Sequence, residues 1–156
     1  MTAARSAGLL IWRKRARAVE VLLVHPGGPY WRNKDAGAWQ IPKGLIEPDE
    51  DAAMAARREA EEEMGVALDG TLVPLGEVRQ AGGKIVAAFA IEADLDATAI
   101  RSNLFEMEWP PKSGRVRSFP EVDAARWFGI AEAREMMLPS QVSLLERLLA
   151  GSGAAG

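Results

Sequence analysis

Glu59, Glu62 and Glu63 fall within one turn of a helix-forming stretch, just ahead of Gly65. Residues three and four apart share a helix face, so Glu62 and Glu63 both lie beside Glu59. Three carboxylates on one patch repel one another unless something positive sits among them. A hard divalent cation suits that place, because Mg²⁺ takes oxygen ligands and joins protein carboxylates to substrate phosphates. The run Gly44–Val66, GLIEPDEDAAMAARREAEEEMGV, therefore reads as a metal site for phosphate chemistry. The plain alternative is a solvated acidic helix closed by a glycine.

Such carboxylates need a helix held against a sheet. Asp49 is the predicted N-cap of a helix starting near Glu50, with Glu50 and Asp51 at the positive end of its dipole. Ala53, Ala56, Ala60 and Met64 recur at helical spacing and form an apolar stripe beside the acidic face. Gly65 supplies a left-handed residue to end the helix. Gly44 sits in the preceding loop, where backbone must pass close to metal or phosphate.

The rest of the chain predicts mixed strands and helices without repeats. Ala7–Trp12 and Val19–His25 are β-prone runs joined by a basic turn, a hairpin or neighbouring strands. A long polar loop follows to Ala38, then a short strand over Trp39–Pro42. Leu72–Arg79 and Lys84–Ala93 flank the turn Gln80–Gly83. Leu104–Trp109 and Ala124–Phe128 complete the predicted strands. Ile130–Met137 and Ser140–Leu149 read as helices, the second with a leucine stripe.

Composition sets the outer bounds. Of 156 residues, 48% are hydrophobic and 26% charged, the profile of a globular protein. The length suits one domain with a proper core, read here as residues 1–150 with 151–156 a frayed tail. The sequence has no cysteine, which excludes disulfides, thiolate metal sites and cysteine nucleophiles. No apolar run approaches a membrane span, and a cytoplasmic location is expected. The Arg- and Ala-rich N-terminus has a faint transit-peptide composition, but the apolar run from Ala7 reads as a folded strand.

A net charge of −3 conceals a polarised chain: residues 1–43 balance at +6 and residues 44–66 at −6. A concentrated acidic site thus accompanies a basic half able to neutralise a polyphosphate. Arg13, Lys14, Arg15 and Arg17 read as a solvated turn. Nucleic acid is not an expected partner at this charge. Tyr30, Trp31, Arg32 and Lys34 cluster in the long loop, where an aromatic could stack on a base. Lys84 follows a double glycine and is placed to reach phosphate. Trp109, Lys112, Arg115 and Arg117 share a Pro/Gly loop with the character of a lid. For each residue alone, packing or solubilising charge is the plain reading. His25, the single histidine, reads as structural.

The acidic run matches, position by position, the signature of the Nudix hydrolase family, G-x5-E-x7-R-E-U-x-E-E-x-G-U, where U is a bulky aliphatic residue. Gly44, Glu50, Arg58-Glu59, Glu62-Glu63, Gly65 and Val66 occupy its positions, and only Ala60 is smaller than usual. The resemblance extends over roughly residues 6–150 and implies an α+β fold, an α/β/α sandwich around a central mixed sheet. It implies hydrolysis of a nucleoside diphosphate linked to another group, by water attack at phosphorus. Mg²⁺ is the implied cofactor, with Mn²⁺ the alternative.

By that resemblance Glu59 and Glu63 are metal ligands, and Glu62 is a ligand or the group that activates water. Glu50 acts through water or from behind the ligands, and Arg58 orients a carboxylate. The backbone carbonyl of Lys43 is a further ligand, and Lys43 is also a candidate substrate-binding residue. Pro120–Trp127 resembles the segment of diadenosine tetraphosphate hydrolases where a glutamate precedes a Trp-containing strand. Glu121 is therefore the candidate additional ligand or base, against a surface-loop reading, with Glu106 and Glu108 as rivals. Trp39–Gly44 and Ser6–Leu10 resemble the diadenosine polyphosphate branch, yet that branch's tyrosine is absent from the region of Ala81–Lys84. The implied substrate is a small nucleoside polyphosphate, bound by a monomer or homodimer. The competing readings are a non-catalytic nucleotide- or protein-binding module and an RNA 5′-end pyrophosphohydrolase.

Overall fold

The structure, a computed structural model, describes residues 5–151. The two apolar runs near the N-terminus become β1 (Arg5–Arg15) and β2 (Ala18–Pro26). They pair antiparallel through a two-residue turn, Ala16-Arg17, with both residues at positive φ. That conformation matches the right-handed twist of the flanking strands. β3 (Lys43–Leu45) adds antiparallel to the start of β1, while β4 (Val73–Arg79) and β5 (Ile85–Glu92) form the second hairpin. β5 runs parallel to β1 from Arg5↔Ile85 to Trp12↔Glu92. β8 (Val122–Gly129) covers the other edge against β2. The main sheet therefore runs β4-β5-β1-β2-β8, with β3 beside β1, and is mixed as expected.

Alternate residues of each strand point to opposite faces, and both faces are covered. On one, Leu9, Ile11, Leu22 and Val24 meet Ala55, Ala56, Ala60 and Met64 of α1 (Ala52–Met64). On the other, Leu10, Trp12, Val21 and Leu23 meet Phe128, Met137, Leu144, Leu145 and Leu148. The helices on this side are α2 (Ile130–Met136) and α3 (Ser143–Gly151). Coverage on both faces explains why β1 and β2 are continuous hydrophobic runs rather than alternating ones. Among the described residues no helix is long and apolar enough to cross a membrane.

Four expectations are corrected. The helix starts later than predicted, and its N-cap is Asp51, not Asp49. Glu50 stays in a turn, its N–H bonded to the Glu47 carbonyl at 3.1 Å and its carboxylate accepting from Glu47 N–H at 3.0 Å. Asp51, the residue before the helix, is extended, and its Oδ1 accepts from Met54 N–H at 2.8 Å. The strand predicted over Trp39–Pro42 shrinks to single bridges, Gln40 to Val24 and Trp39 to Met137, and the regular strand begins at Lys43.

The third correction concerns Arg117, predicted in a lid-like Pro/Gly loop with Trp109, Lys112 and Arg115; its segment is Val116–Pro120. It is a strand, β7, that pairs with β6 (Leu104–Glu108) as a separate two-stranded ribbon. The fourth is Gly151, expected in the tail, which closes α3; residues 152–156 lie outside the described residues. Gly65 ends α1 at φ 69°, as predicted.

The cap reassignment has a measurable consequence. Asp51→Ala is expected to lower stability by about 1 kcal/mol in urea unfolding, with Asp49→Ala within about 0.5 kcal/mol of the parent. The reverse order would restore Asp49 as the cap.

Candidate active site

The acidic face of α1 is organised by one arginine. Arg58 grips Glu50 with both arms of a fork, Nε to Oε2 at 2.6 Å and Nη2 to Oε1 at 2.7 Å. Nη1 donates to Glu59 Oε1 at 2.8 Å and to Glu62 Oε2 at 3.3 Å. Nη2 also donates to the Leu45 carbonyl at 3.1 Å, which ties the helix to β3. A guanidinium has five N–H donors, and all five are engaged. Its hydrogen bonds hold the Glu50 carboxyl down at about 2, and the same partners raise the arginine.

Glu59 is placed by a glycine as well as by Arg58. A Cβ at Gly44 would stand 2.1 Å from the Glu59 carboxylate carbon and from Oε2. Any side chain there would have to displace the carboxylate, so the glycine leaves the room Glu59 occupies.

Glu63 sits in the opposite environment. It is half-buried and lines a pocket of about 260 Å³ with Trp31, Gln40, Lys43 and Glu121. Burial pushes its carboxyl up to about 8, and the charges of Glu121 and Glu59 push the same way. The ammonium and backbone N–H of Lys43 oppose the rise without cancelling it. Glu121 is raised too, first by burial and then by Glu59 and Glu62. Its strand start is fixed by two backbone bonds, Glu121 N–H to Asn103 at 2.8 Å and Gly27 N–H to Glu121 at 3.0 Å. Burial lowers Lys43, with Lys84 adding a like charge while Glu63 and Glu59 pull back.

Glu59, Glu63 and Glu121 thus line one open cleft together with Lys43, Gly44, Trp31 and Phe105. The donor chemistry fits a hard cation: oxygen ligands only, mutually repelling, with room beside them. They do not form a closed cage. Among the described residues no three acidic or imidazole side chains stand close enough to hold an ion by themselves. An ion here would complete its shell with water and substrate oxygens, as Mg²⁺ does.

Other predicted residues fall outside this lining. Trp109 and Lys112 stand at the turn of the β6–β7 ribbon. Trp109 meets Tyr30 edge-on at 5.8 Å, and the Lys112 N–H donates to Glu108 Oε1 at 2.8 Å. Glu106 and Glu108 lie on the exposed face of that ribbon, leaving Glu121 as the later acid at the cleft. Lys84 lines a second pocket with Trp31, Gln40, Gln80 and Lys43. Phe105 enters the cleft unpredicted, because its alternation with acids marked only a strand.

His25 is structural in placement. It is buried, with Nδ1 at 2.8 Å from Asp123 and Nε2 at 2.6 Å from the Lys34 carbonyl, linking the aromatic loop to β8.

With this geometry set out, the comparisons with known proteins are decisive on family. The model described as NUDIX domain matches residues 2–148. The chain belongs to the Nudix family. The curated relatives share shorter stretches. An octanoyltransferase of Myxococcus xanthus is 31% identical over 133 residues, 85% of this chain and 33% of that protein. An RNA pyrophosphohydrolase of Caulobacter vibrioides is 45% identical over 53 residues, 31% of each chain. An asymmetrical bis(5′-nucleosyl)-tetraphosphatase of Caenorhabditis elegans is 39% identical over 62 residues, 40% of this chain and 41% of that one. The chain spans about a third of the length of the first of these relatives.

Solved structures agree on the Nudix fold. The C. elegans Ap4A hydrolase binary complex superposes with TM-score 0.66 at 23% identity, over 95% of this chain and 96% of that one. The NUDIX domain of Shewanella oneidensis NrtR, complexed with ADP ribose, gives 0.65 at 18%, over 94% and 86%.

Gly44→Ala tests the cradle. The added methyl must displace the Glu59 carboxylate, so turnover is expected to fall roughly a hundredfold with the thermal midpoint within a few degrees of the parent. Turnover within twofold would show that the approach of Glu59 to Gly44 is dispensable.

Proposed function

We propose that this chain is a Mg²⁺-dependent pyrophosphohydrolase that cleaves a nucleoside diphosphate linked to another group, with dinucleoside polyphosphates the favoured substrates. One observation carries the reading: Glu59, Glu63 and Glu121 line one cleft with Lys43, and Lys43 also lines the neighbouring pocket with Lys84. Acids for a cation and ammonium groups for phosphate oxygens then stand side by side, as a metal-bridged polyphosphate requires. Bound there, a divalent cation neutralises phosphate oxygens and makes a water more acidic.

The side chains do the rest. Glu59, Glu63 and Glu121 hold the cation, with the Lys43 carbonyl as a further ligand. Glu62 is a ligand or takes the water's proton. Arg58 keeps Glu50, Glu59 and Glu62 in register. Attack forms one phosphorus–oxygen bond and breaks the bridging anhydride bond, and the leaving phosphate departs as an anion. Mn²⁺ is the alternative ion. The likeness to the C. elegans tetraphosphatase supports the dinucleoside choice; the likeness to an RNA pyrophosphohydrolase makes triphosphorylated RNA ends the rival substrate.

A panel of diadenosine polyphosphates, nucleoside triphosphates, nucleotide sugars, ADP-ribose and 5′-triphosphorylated RNA, assayed with Mg²⁺ and with chelator, tests this. Chelator-sensitive cleavage of the dinucleoside class is expected, and Glu63→Gln should lower it at least a hundredfold while the protein stays folded. A second reading, a nucleotide-binding module without catalysis, draws on the open spacing of the carboxylates. Nucleotide binding without any cleavage across the panel would select it.

Glu63 also fixes a pH dependence. With its carboxyl at about 8, most of the metal-free protein holds that proton at pH 7. A cation binds the ionised form, so Mg²⁺ binding is expected to release close to one proton at pH 7 and almost none at pH 9. Apparent affinity therefore rises with pH from 6 to 8 and then levels. The metal-free protein also loses stability as pH rises from about 4.5 to about 8, because only the folded chain retains the proton in that window. Calorimetry in two buffers of different ionisation enthalpy reads the proton count directly. Zero release at pH 7 would remove Glu63 from the cation's shell.

A further inference from the structure

His25 makes two contacts that a neutral imidazole cannot both satisfy. The ring is buried, with Nδ1 at 2.8 Å from the Asp123 carboxylate and Nε2 at 2.6 Å from the Lys34 carbonyl. Both partners are acceptors. A carboxylate and a backbone carbonyl have no proton to give, and a neutral ring has one N–H. One nitrogen would then turn a lone pair towards an oxygen at hydrogen-bond distance. Only the imidazolium, with a proton on each nitrogen, satisfies both contacts. Asp123 supplies the opposite charge that a buried cation needs.

The neighbours do not relieve this demand. Trp39 packs edge-on against the ring at 5.2 Å and spends its Nε1–H on Asp35 Oδ1 at 2.8 Å. The Arg126 guanidinium lies over the rings of Trp39 and Phe128, at 5.5 and 4.7 Å, and the Lys34 ammonium lies over the ring of Trp31 at 5.1 Å. The charged groups around His25 are therefore Asp123 and Arg126 on β8, with Lys34 and Asp35 in the loop. Among the described residues no other group donates to the Lys34 carbonyl.

A loop hangs on the second proton. From Gly28 to Lys34 the other hydrogen bonds among the described residues are local, Trp31 N–H to the Gly28 carbonyl at 3.4 Å and Lys34 N–H to the Trp31 carbonyl at 2.9 Å. The bond from His25 is the one that ties this stretch to the sheet. Trp31 in turn lines the cleft with Glu59, Glu63 and Glu121. When the ring loses a proton, it keeps the one on Nδ1, because a bond to a carboxylate is stronger than one to a carbonyl. Nε2 then presents a lone pair to the Lys34 carbonyl, and the loop is pushed from the sheet.

We propose that His25 is a positioning residue that works as an imidazolium: its Nδ1 proton holds Asp123 near the start of β8, and its Nε2 proton clasps the Trp31 loop against the cleft. Deprotonation opens the clasp, so pH sets the wall formed by Trp31 through a residue outside the cleft. The consequence for turnover rests on the pyrophosphohydrolase reading; the consequence for the loop does not.

Because the chain has one histidine, its ring can be followed without ambiguity. In the full chain labelled with nitrogen-15, NMR reads both ring nitrogens from about pH 5 to about pH 9. At the acid end both should carry protons. As one is lost, the backbone amides of Trp31 and Lys34 should shift with the same midpoint. His25→Gln keeps an amide donor near the place of Nε2 and has no proton to lose, so that transition should vanish from its loop amides. With saturating Mg²⁺ the parent's KM should rise roughly fivefold through the midpoint, the worth of one net hydrogen bond, with kcat little changed. His25→Gln should lack that rise.

A singly protonated ring while the loop amides hold their acid-end positions, loop amides that do not follow the ring, or the same transition surviving in His25→Gln would overturn the proposal. If His25→Gln does not fold, the coupling of ring and loop in the parent decides alone. A coupled transition without cleavage of any substrate would sink the hydrolase and leave the clasp. Cleavage with loop and KM indifferent to the ring proton would do the reverse.

Discussion

The guanidinium of Arg58 is the interaction on which the acidic face depends. Four glutamates crowded on a helix and its leading turn would otherwise spread apart through mutual repulsion. Arg58 removes three of them from that contest by hydrogen bonding Glu50, Glu59 and Glu62, and its remaining donor pins the Leu45 carbonyl. Lysine could not substitute, because a single ammonium has no planar fork to hold both Glu50 oxygens while reaching two further carboxylates. The glutamates outside its reach, Glu63 and Glu121, are the ones whose carboxyls are raised. Environment thereby sets Glu50, whose carboxyl Arg58 holds down, apart from Glu63 and Glu121, whose charged forms burial and neighbouring carboxylates disfavour.

The fold serves this division by bringing distant segments to the same edge. β3 lies against the start of β1, which carries Lys43 and Gly44 to the face of α1. The start of β8 brings Glu121 from the far side. There the β2 end and the turn into β8 pass so closely that a Cβ on Gly27 would lie 1.9 Å from the Pro120 carbonyl oxygen. His25 links the same two segments to the loop that carries Trp31, through Asp123 and the Lys34 carbonyl. Glu121, Trp31 and Lys43 are thus held by backbone pairing and one buried ring, which favours precise placement.

Much of this was legible in the sequence, and the misses have physical causes. The apolar runs, the alanine stripe and Gly65 each carry a periodicity or a backbone demand that is local, so local reading found them. Asp49 lost the cap to Asp51 because Arg58, eight residues beyond Glu50, holds that glutamate in a turn, a contact no window of neighbouring residues displays. β7 was hidden because VRSFP carries no buried alternating face; only its pairing with β6 makes it a strand. Lys43 was read both for its carbonyl and as a substrate-binding residue; that its charge also acts on the buried Glu63 follows from where β3 lies.

Family membership explains the frame and leaves the substrate to the site. The C. elegans Ap4A hydrolase and the ADP-ribose complex of the Shewanella domain superpose on this chain almost equally well, at 0.66 and 0.65. A backbone common to an Ap4A hydrolase and an ADP-ribose-binding domain does not itself select a ligand; selection falls to side chains. In this chain the cleft is lined by Trp31, Phe105 and Lys43, and the neighbouring pocket by Gln40, Gln80 and Lys84. None of them is the tyrosine that the diadenosine-type resemblance led one to expect in the region of Ala81–Lys84. What distinguishes this chain from others of its family therefore lies in a few side chains around the cleft, while the sheet and the helices behind it are shared.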